Sequence, residues 1–262
     1  MSDDISKPVT ADTTSPQRRV PWGASSAILV AVCTYFGASI LSGLLLDWYV
    51  GTRHWSTTEV SQWLNSSVTA QFIYILLTEG LTIGSVLLFM HFKHAGLRVL
   101  GWVRLRLRDI GYALGGTAVY FVLYFVVFAL LLHFTHIDVG QKQDVGFQHV
   151  AGDSQLLLTF ISLVILPPVV EETVFRGFLF GGLKNRMPVR VAAVLTSVLF
   201  AAPHLLESGS GGLLWVAGID TFILSLVLCY LREKTGSLWA GVLVHMLKNG
   251  VAFYSLFIVT AR

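Results

Sequence analysis

Seven apolar stretches, each long enough to cross a bilayer, constrain this chain more than any other feature. They run roughly over 24–50, 71–92, 110–134, 156–183, 189–206, 213–231 and 237–259. A hydrocarbon core of about 30 Å is crossed by about 20 helical residues. A barrel strand would need only about 10, with strict alternation of apolar and polar side chains. These runs are twice that length and do not alternate. In lipid the backbone must satisfy its own hydrogen bonds, so the runs read as helices. The expected fold is all-α, a polytopic membrane protein with about seven transmembrane helices. Composition agrees, since 13% of the 262 residues are charged and 54% are hydrophobic, against about 25% charged in soluble proteins.

The placement of Lys and Arg gives a direction. Lys7, Arg18 and Arg19 precede the first run, and Lys93, Arg98, Arg104, Arg106 and Arg108 follow the second. Lys184, Arg186 and Arg190 follow the fourth, and Arg232 and Lys234 the sixth. The opposite side has only Arg53, Lys142 and Arg262. By the positive-inside rule the N-terminus is expected in the cytoplasm and the C-terminus outside. A multi-pass protein of the cell's inner (plasma) membrane, with lipids as its surroundings, is the expectation.

Residues 1–22 are polar, carry Pro16 and Pro21, and lack a signal-peptide pattern, so they read as a disordered cytoplasmic tail. Residues 23–262 form the membrane domain. The basic stretch from His91 to Asp109, with Leu97, Leu100 and Trp102 interspersed, suggests a cytoplasmic interfacial helix. No basic face interleaved with aromatics points to nucleic acid. Cys33 and Cys229 both fall inside apolar runs and form no disulfide framework.

Chemistry concentrates in three of the runs. The fourth contains LPPVVEETVFRGFLFGGL, with Glu171, Glu172 and Arg176 deep in an apolar helix. Each such charge costs about 2.5 to 3.5 kcal/mol at mid-bilayer on insertion scales. Glu172 and Arg176 are four apart and can pair on one face. Glu171 lies about 100° round the helix and has no such partner. Pro167 and Pro168 remove two backbone donors and free carbonyls near the carboxylates. The fifth run places Phe200 and His204 four apart, and the seventh does the same with His245 and Asn249. Singly, each set reads equally well as an ion pair or an interhelical hydrogen bond. Together they make an inventory for activating water and stabilising an oxyanion: a carboxylate and a histidine for the water, a second histidine and an asparagine for the oxygen.

EETVFRG, FAAPH and HMLKN resemble the EExxxR, FxxxH and HxxxN/D motifs of the CAAX protease and bacteriocin-processing (CPBP, or ABI) family of intramembrane glutamate proteases. The motifs occur in the family's order, within a core of about 154–254. The resemblance implies that Glu171 and His204 activate the water and that His245 and Asn249 form the oxyanion hole. Glu172, Arg176 and Phe200 would support the site. It implies an endopeptidase acting on a membrane-associated protein or peptide. The family is often labelled a metalloprotease, yet no HExxH pair is present. A metal-free mechanism is expected, with zinc on Glu171, His204 and His245 as the alternative on ligand type alone.

Two other functions compete: an ion- or proton-coupled transporter, and a non-catalytic scaffold or chaperone of the same fold. Glu79 and Asp220, within spans, read first as hydrogen-bonded packing residues and second as lining of the cavity, and Lys248 falls on a different helical face from Asn249. His136, Asp138, Asp144, His149 and Asp153 read as a solvated outer loop. Counting helical rise from the cytoplasmic ends sets Glu171 about 18 Å deep but His245 only about 10 Å. A shared site requires that gap to close.

Overall fold

The computed structural model describes residues 19–53, 55–138, 140–141, 143–147, 150–208 and 212–259, apart from the side chains at 61 and 65. Nine helical elements follow in order among them: α1 (Ala24–Gly51), α2 (Thr57–Ser66), α3 (Val68–Phe92), α4 (Leu97–Leu100), α5 (Leu107–Phe134), α6 (Asp153–Lys184), α7 (Val189–His204), α8 (Trp215–Thr235) and α9 (Trp239–Val259). The all-α polytopic expectation holds, and each apolar run becomes a helix within a few residues of its expected ends. Six helices are long and apolar enough to cross a membrane. The fifth run, α7, has only 16 residues. At 1.5 Å per residue it spans about 24 Å, short of the hydrocarbon core, and this sets His204 at a helix end inside the bundle.

The helices divide by packing. α1, α3 and α5 turn long apolar side chains outward: Leu29 is 64% exposed, Leu114 62% and Phe125 65%. α6 and α8 are sheathed by the others, with Phe178, Leu179, Phe180, Leu224 and Leu228 fully buried. Close approach onto α6 depends on glycine at two positions. A Cβ on Gly177 would lie 3.0 Å from the Leu100 side chain, and one on Gly182 would lie 2.5 Å from Ala27 Cβ.

The tail boundary differs from expectation. Residues 1–18 lie outside the described residues, but Val20 and Trp22 are buried. Trp22 stacks on Phe178 at 4.6 Å between centroids and donates its indole N–H to the Phe178 carbonyl at 3.1 Å. Asn185 then donates to the carbonyls of Val20 and Trp22. A tryptophan with one apolar body and one donor fits such a helix-end pocket better than solvent.

The stretch from His91 to Asp109 also departs from its expected form. Only one helical turn forms, at Leu97–Leu100, ended by Gly101 with φ of +100°. The reason is that Leu100 and Trp102 are turned into the bundle, while Leu97, Leu105 and Leu107 stay exposed. Leu100 is fully buried, Trp102 Nε1 donates to Thr173 Oγ1, and Trp239 Nε1 donates to the Val103 carbonyl. The segment is a belt across one end of the helices. Between α1 and α3, the short helix α2 begins with Ser56 and Glu59 exchanging side-chain and backbone hydrogen bonds. The Ser56 amide, then its hydroxyl, hold the Glu59 carboxyl below the usual carboxylate range.

Candidate active site

α6 is the element that builds the site, and its irregularity begins with its prolines. Wide π-type turns occupy Ile161–Ile165 and Glu172–Leu179, on either side of Leu166–Glu171. Such turns are rare and concentrate at functional positions. Pro167 has no N–H to offer Leu163, four residues earlier. The Asn249 side chain fills the gap, its Nδ2 donating to the Leu163 carbonyl at 2.9 Å. One N–H and the oxygen of the Asn249 amide remain for other partners.

The two adjacent glutamates have opposite surroundings. Glu172 is fully buried; its Oε1 accepts from Arg176 Nη1 at 2.9 Å and faces His245 Nδ1 at 3.1 Å. Gly241 of α9 makes room for it, since a Cβ there would stand 3.0 Å from Glu172 Oε2. The expected pairing of Glu172 with Arg176 is therefore present. Glu171 forms no ion pair with Lys or Arg among the described residues. Its Oε2 lies 3.7 Å from His245 Nε2, a distance for a bridged rather than a direct hydrogen bond.

Both histidines are oriented by their Nδ1 atoms. His204 Nδ1 lies 3.0 Å from the Phe200 carbonyl, which can only accept, so Nδ1 carries the hydrogen and Nε2 is bare. His245 Nδ1 faces the Arg176-paired carboxylate of Glu172 and donates to it in the same way. The neutral His245 ring therefore presents a bare Nε2 toward Glu171. It becomes a donor to an oxyanion only as the imidazolium. Phe200, 1% exposed, joins these groups: the Arg176 guanidinium lies 4.2 Å over its ring, and His204 and His245 approach it at 5.2 and 5.9 Å.

Glu171, His204, His245 and Asn249 all line one cavity of about 490 Å³. The gap in depth between Glu171 and His245 is closed: the two side chains are neighbours. Gln143, Asp144 and Glu207, from the connections after α5 and α7, also line this cavity, and the Asp144 amide donates to the Glu207 carbonyl at 3.0 Å. Lys142 and His149, and most of the Gly209–Gly212 turn, lie outside the described residues. Glu171, His204 and His245 do not gather into a set of three donors fit for a metal ion; among the described residues no group of His, Cys, Asp or Glu does.

Two further residues enter the site, one expected first in packing and one set on another helical face. Glu79 lines the cavity from α3. Lys248 lines it as well, held by Asp220 Oδ2 at 3.1 Å, while Tyr120 donates to Asp220 Oδ1. A position one step from Asn249 is about 100° away on the helix, but a cavity wrapping α9 on two sides reaches both. An unpaired-looking lysine beside an aspartate-bearing span was the available signal. Asp220 itself is a packing residue, as expected.

Residues 153–251, which hold all three motifs, match the family model for type II CAAX prenyl endopeptidase Rce1-like proteins. The resemblance read from the motifs is thereby shown over that stretch. Among individual proteins, the chain is 29% identical over 115 residues to UPF0177 protein YxdF of Lactococcus lactis, covering 44% of this chain and 59% of that protein. It is 34% identical over 93 residues to an uncharacterized 24.3 kDa protein of Escherichia coli, covering 35% and 41%. It is 26% identical over 147 residues to UPF0177 protein YaiH of Lactococcus lactis, covering 56% and 57%. The chain thus spans about half the length of the relatives it matches. No solved structure matches it.

Proposed function

We propose, for a chain whose residues 153–251 match the family model for Rce1-like type II CAAX prenyl endopeptidases, that it is an intramembrane endopeptidase cutting a membrane-associated protein or peptide. The observation that carries this reading is Glu171. It is a carboxylate without a Lys or Arg partner, on a cavity wall, 3.7 Å from a histidine whose other nitrogen is fixed by a second carboxylate.

In this reading a water sits between Glu171 and the bare Nε2 of His204. Glu171 takes a proton from it as the oxygen adds to the scissile carbonyl carbon. The tetrahedral oxyanion accepts from the free N–H of Asn249 and from His245 in its protonated form. The C–N bond then breaks, and the proton held by Glu171 passes to the departing amine. Glu172 and Arg176 act through His245 and hold its ring. No step is assigned to a metal.

The test is cleavage of a labelled membrane peptide by purified protein in nanodiscs, beside Glu171→Gln. Cleavage by the wild type alone supports the reading, and equal cleavage by the variant removes it. Activity surviving exhaustive chelation supports the metal-free form; loss on chelation with recovery on zinc would replace it. The orientation proposed is N-terminus in the cytoplasm and C-terminus outside. A C-terminal reporter active only outside the cytoplasm should be active.

A further inference from the structure

A second, smaller cavity of about 160 Å³ lies at the belt end of the bundle, away from the outer connections. Arg19, Arg176, Lys184 and Arg232 line it, together with Asn185 and Glu233. Lys184 pairs with Glu233 and Arg176 with Glu172. Arg19 and Arg232 form no ion pair among the described residues, so the lining keeps a positive excess.

The cavity is built, not merely a basic rim. Arg176 is 1% exposed, and among the described residues its Nε and Nη2 meet no oxygen or nitrogen acceptor, with the Cys229 thiol beside the guanidinium. Arg232 Nε is likewise buried and unpartnered. Its guanidinium lies against Gly101, where any Cβ would come within 2.7 Å of Arg232 Cζ. Asn185, by holding the carbonyls of Val20 and Trp22 at 2.8 and 2.7 Å, fixes the segment that carries Arg19. Buried guanidinium donors without acceptors are costly, and a multi-oxygen anion is the group that satisfies several at once. The space equals about five water volumes at roughly 30 Å³ each, which suits a single tetrahedral oxyanion and not a nucleotide or peptide.

We propose that this cavity binds a phosphate group, carried by an anionic lipid headgroup or free in solution. The end of the bundle where it opens also gathers Lys93, Arg98, Arg104, Arg186 and Lys234, a pattern that attracts anionic headgroups. The proposal does not depend on the protease reading. It gives Arg176 a second anionic neighbour beside Glu172.

The test uses the full chain in maltoside micelles, which carry no phosphate, with thermal unfolding as the readout. Inorganic phosphate is titrated in one arm and phosphatidylglycerol in the other, each against sodium chloride at equal ionic strength. A raised midpoint with phosphatidylglycerol alone assigns a lipid headgroup; a raised midpoint with inorganic phosphate assigns a free anion. Arg19→Gln and Arg232→Gln should each raise the concentration needed by about tenfold, the size of one charge-assisted contact. Arg98→Gln, an exposed cation of the same end outside the cavity, should leave it unchanged. Arg19 is exposed, so its variant serves even if Arg232→Gln does not fold. No shift in either arm, an unaltered response in Arg19→Gln, or equal weakening in Arg98→Gln overturns the proposal.

Discussion

The outer helices and the central ones solve the same problem of living in a bilayer in different ways. In α1, α3 and α5 only 17, 11 and 11% of the most apolar stretch is buried, against 50% in α6 and 56% in α8. An outer helix facing lipid needs apolar character and length, and many side chains supply both. A central helix can carry Glu172, Arg176 and Thr173 because neighbouring helices bring His245 and Phe200 to it and the belt brings Trp102. Residue identity is therefore expected to matter in proportion to what stands opposite, and little to depth in the membrane as such.

Substitutions can break or sharpen this contrast. The largest effect is expected at Glu171→Gln, which should abolish peptide cleavage while the unfolding midpoint stays near that of the wild type; His204→Ala should do the same. Arg176→Ala comes next, stranding the fully buried Glu172 at a cost of about 3 to 5 kcal/mol, read as a lowered unfolding midpoint and poor yield. Asn249→Ala should lower kcat about a hundredfold, as for one oxyanion donor, with part of the loss appearing as destabilisation because the Leu163 carbonyl loses its partner. Gly241→Ala should cost about 1 to 3 kcal/mol by crowding Glu172, measurable as a midpoint shift. Leu114→Ala, on the lipid face of α5, should change stability by no more than about 0.5 kcal/mol. If that last change matched Gly241→Ala, the distinction between outer and central helices would fail.

The same contrast explains what could be read in advance. Apolar length alone is a strong signal, so every span appears near its expected ends. The Glu172–Arg176 pair was legible because four-residue spacing is local. Contacts between distant segments were not. The stretch from His91 to Asp109 has the composition of a surface helix, and only the docking of Leu100 and Trp102 on α6 shows why it is not one. Trp22 looked like tail until Phe178 was found beneath it. The depth count that separated His245 from Glu171 treated helices as straight and parallel, whereas α6 is widened by π turns and interrupted by two prolines. Ser56-Thr-Thr-Glu59 is a local capping signature, legible in the sequence in the same way. Lys248 was set aside by a one-face rule that a cavity bordering α9 on two sides does not obey.

The bond from Asn249 to Leu163 bears on how the molecule is made. As α6 leaves the insertion machinery, the Leu163 carbonyl faces lipid with no donor from Pro167, an exposure worth several kcal/mol. Its partner sits in α9, 86 positions later in the chain, and arrives only once α9 has been made. The arrangement of α6 is thus completed long after α6 itself, and a chain lacking α9 would hold its central helix in an unsettled form. On the proposed reading, a nascent chain built in this order cleaves nothing until α9 has docked.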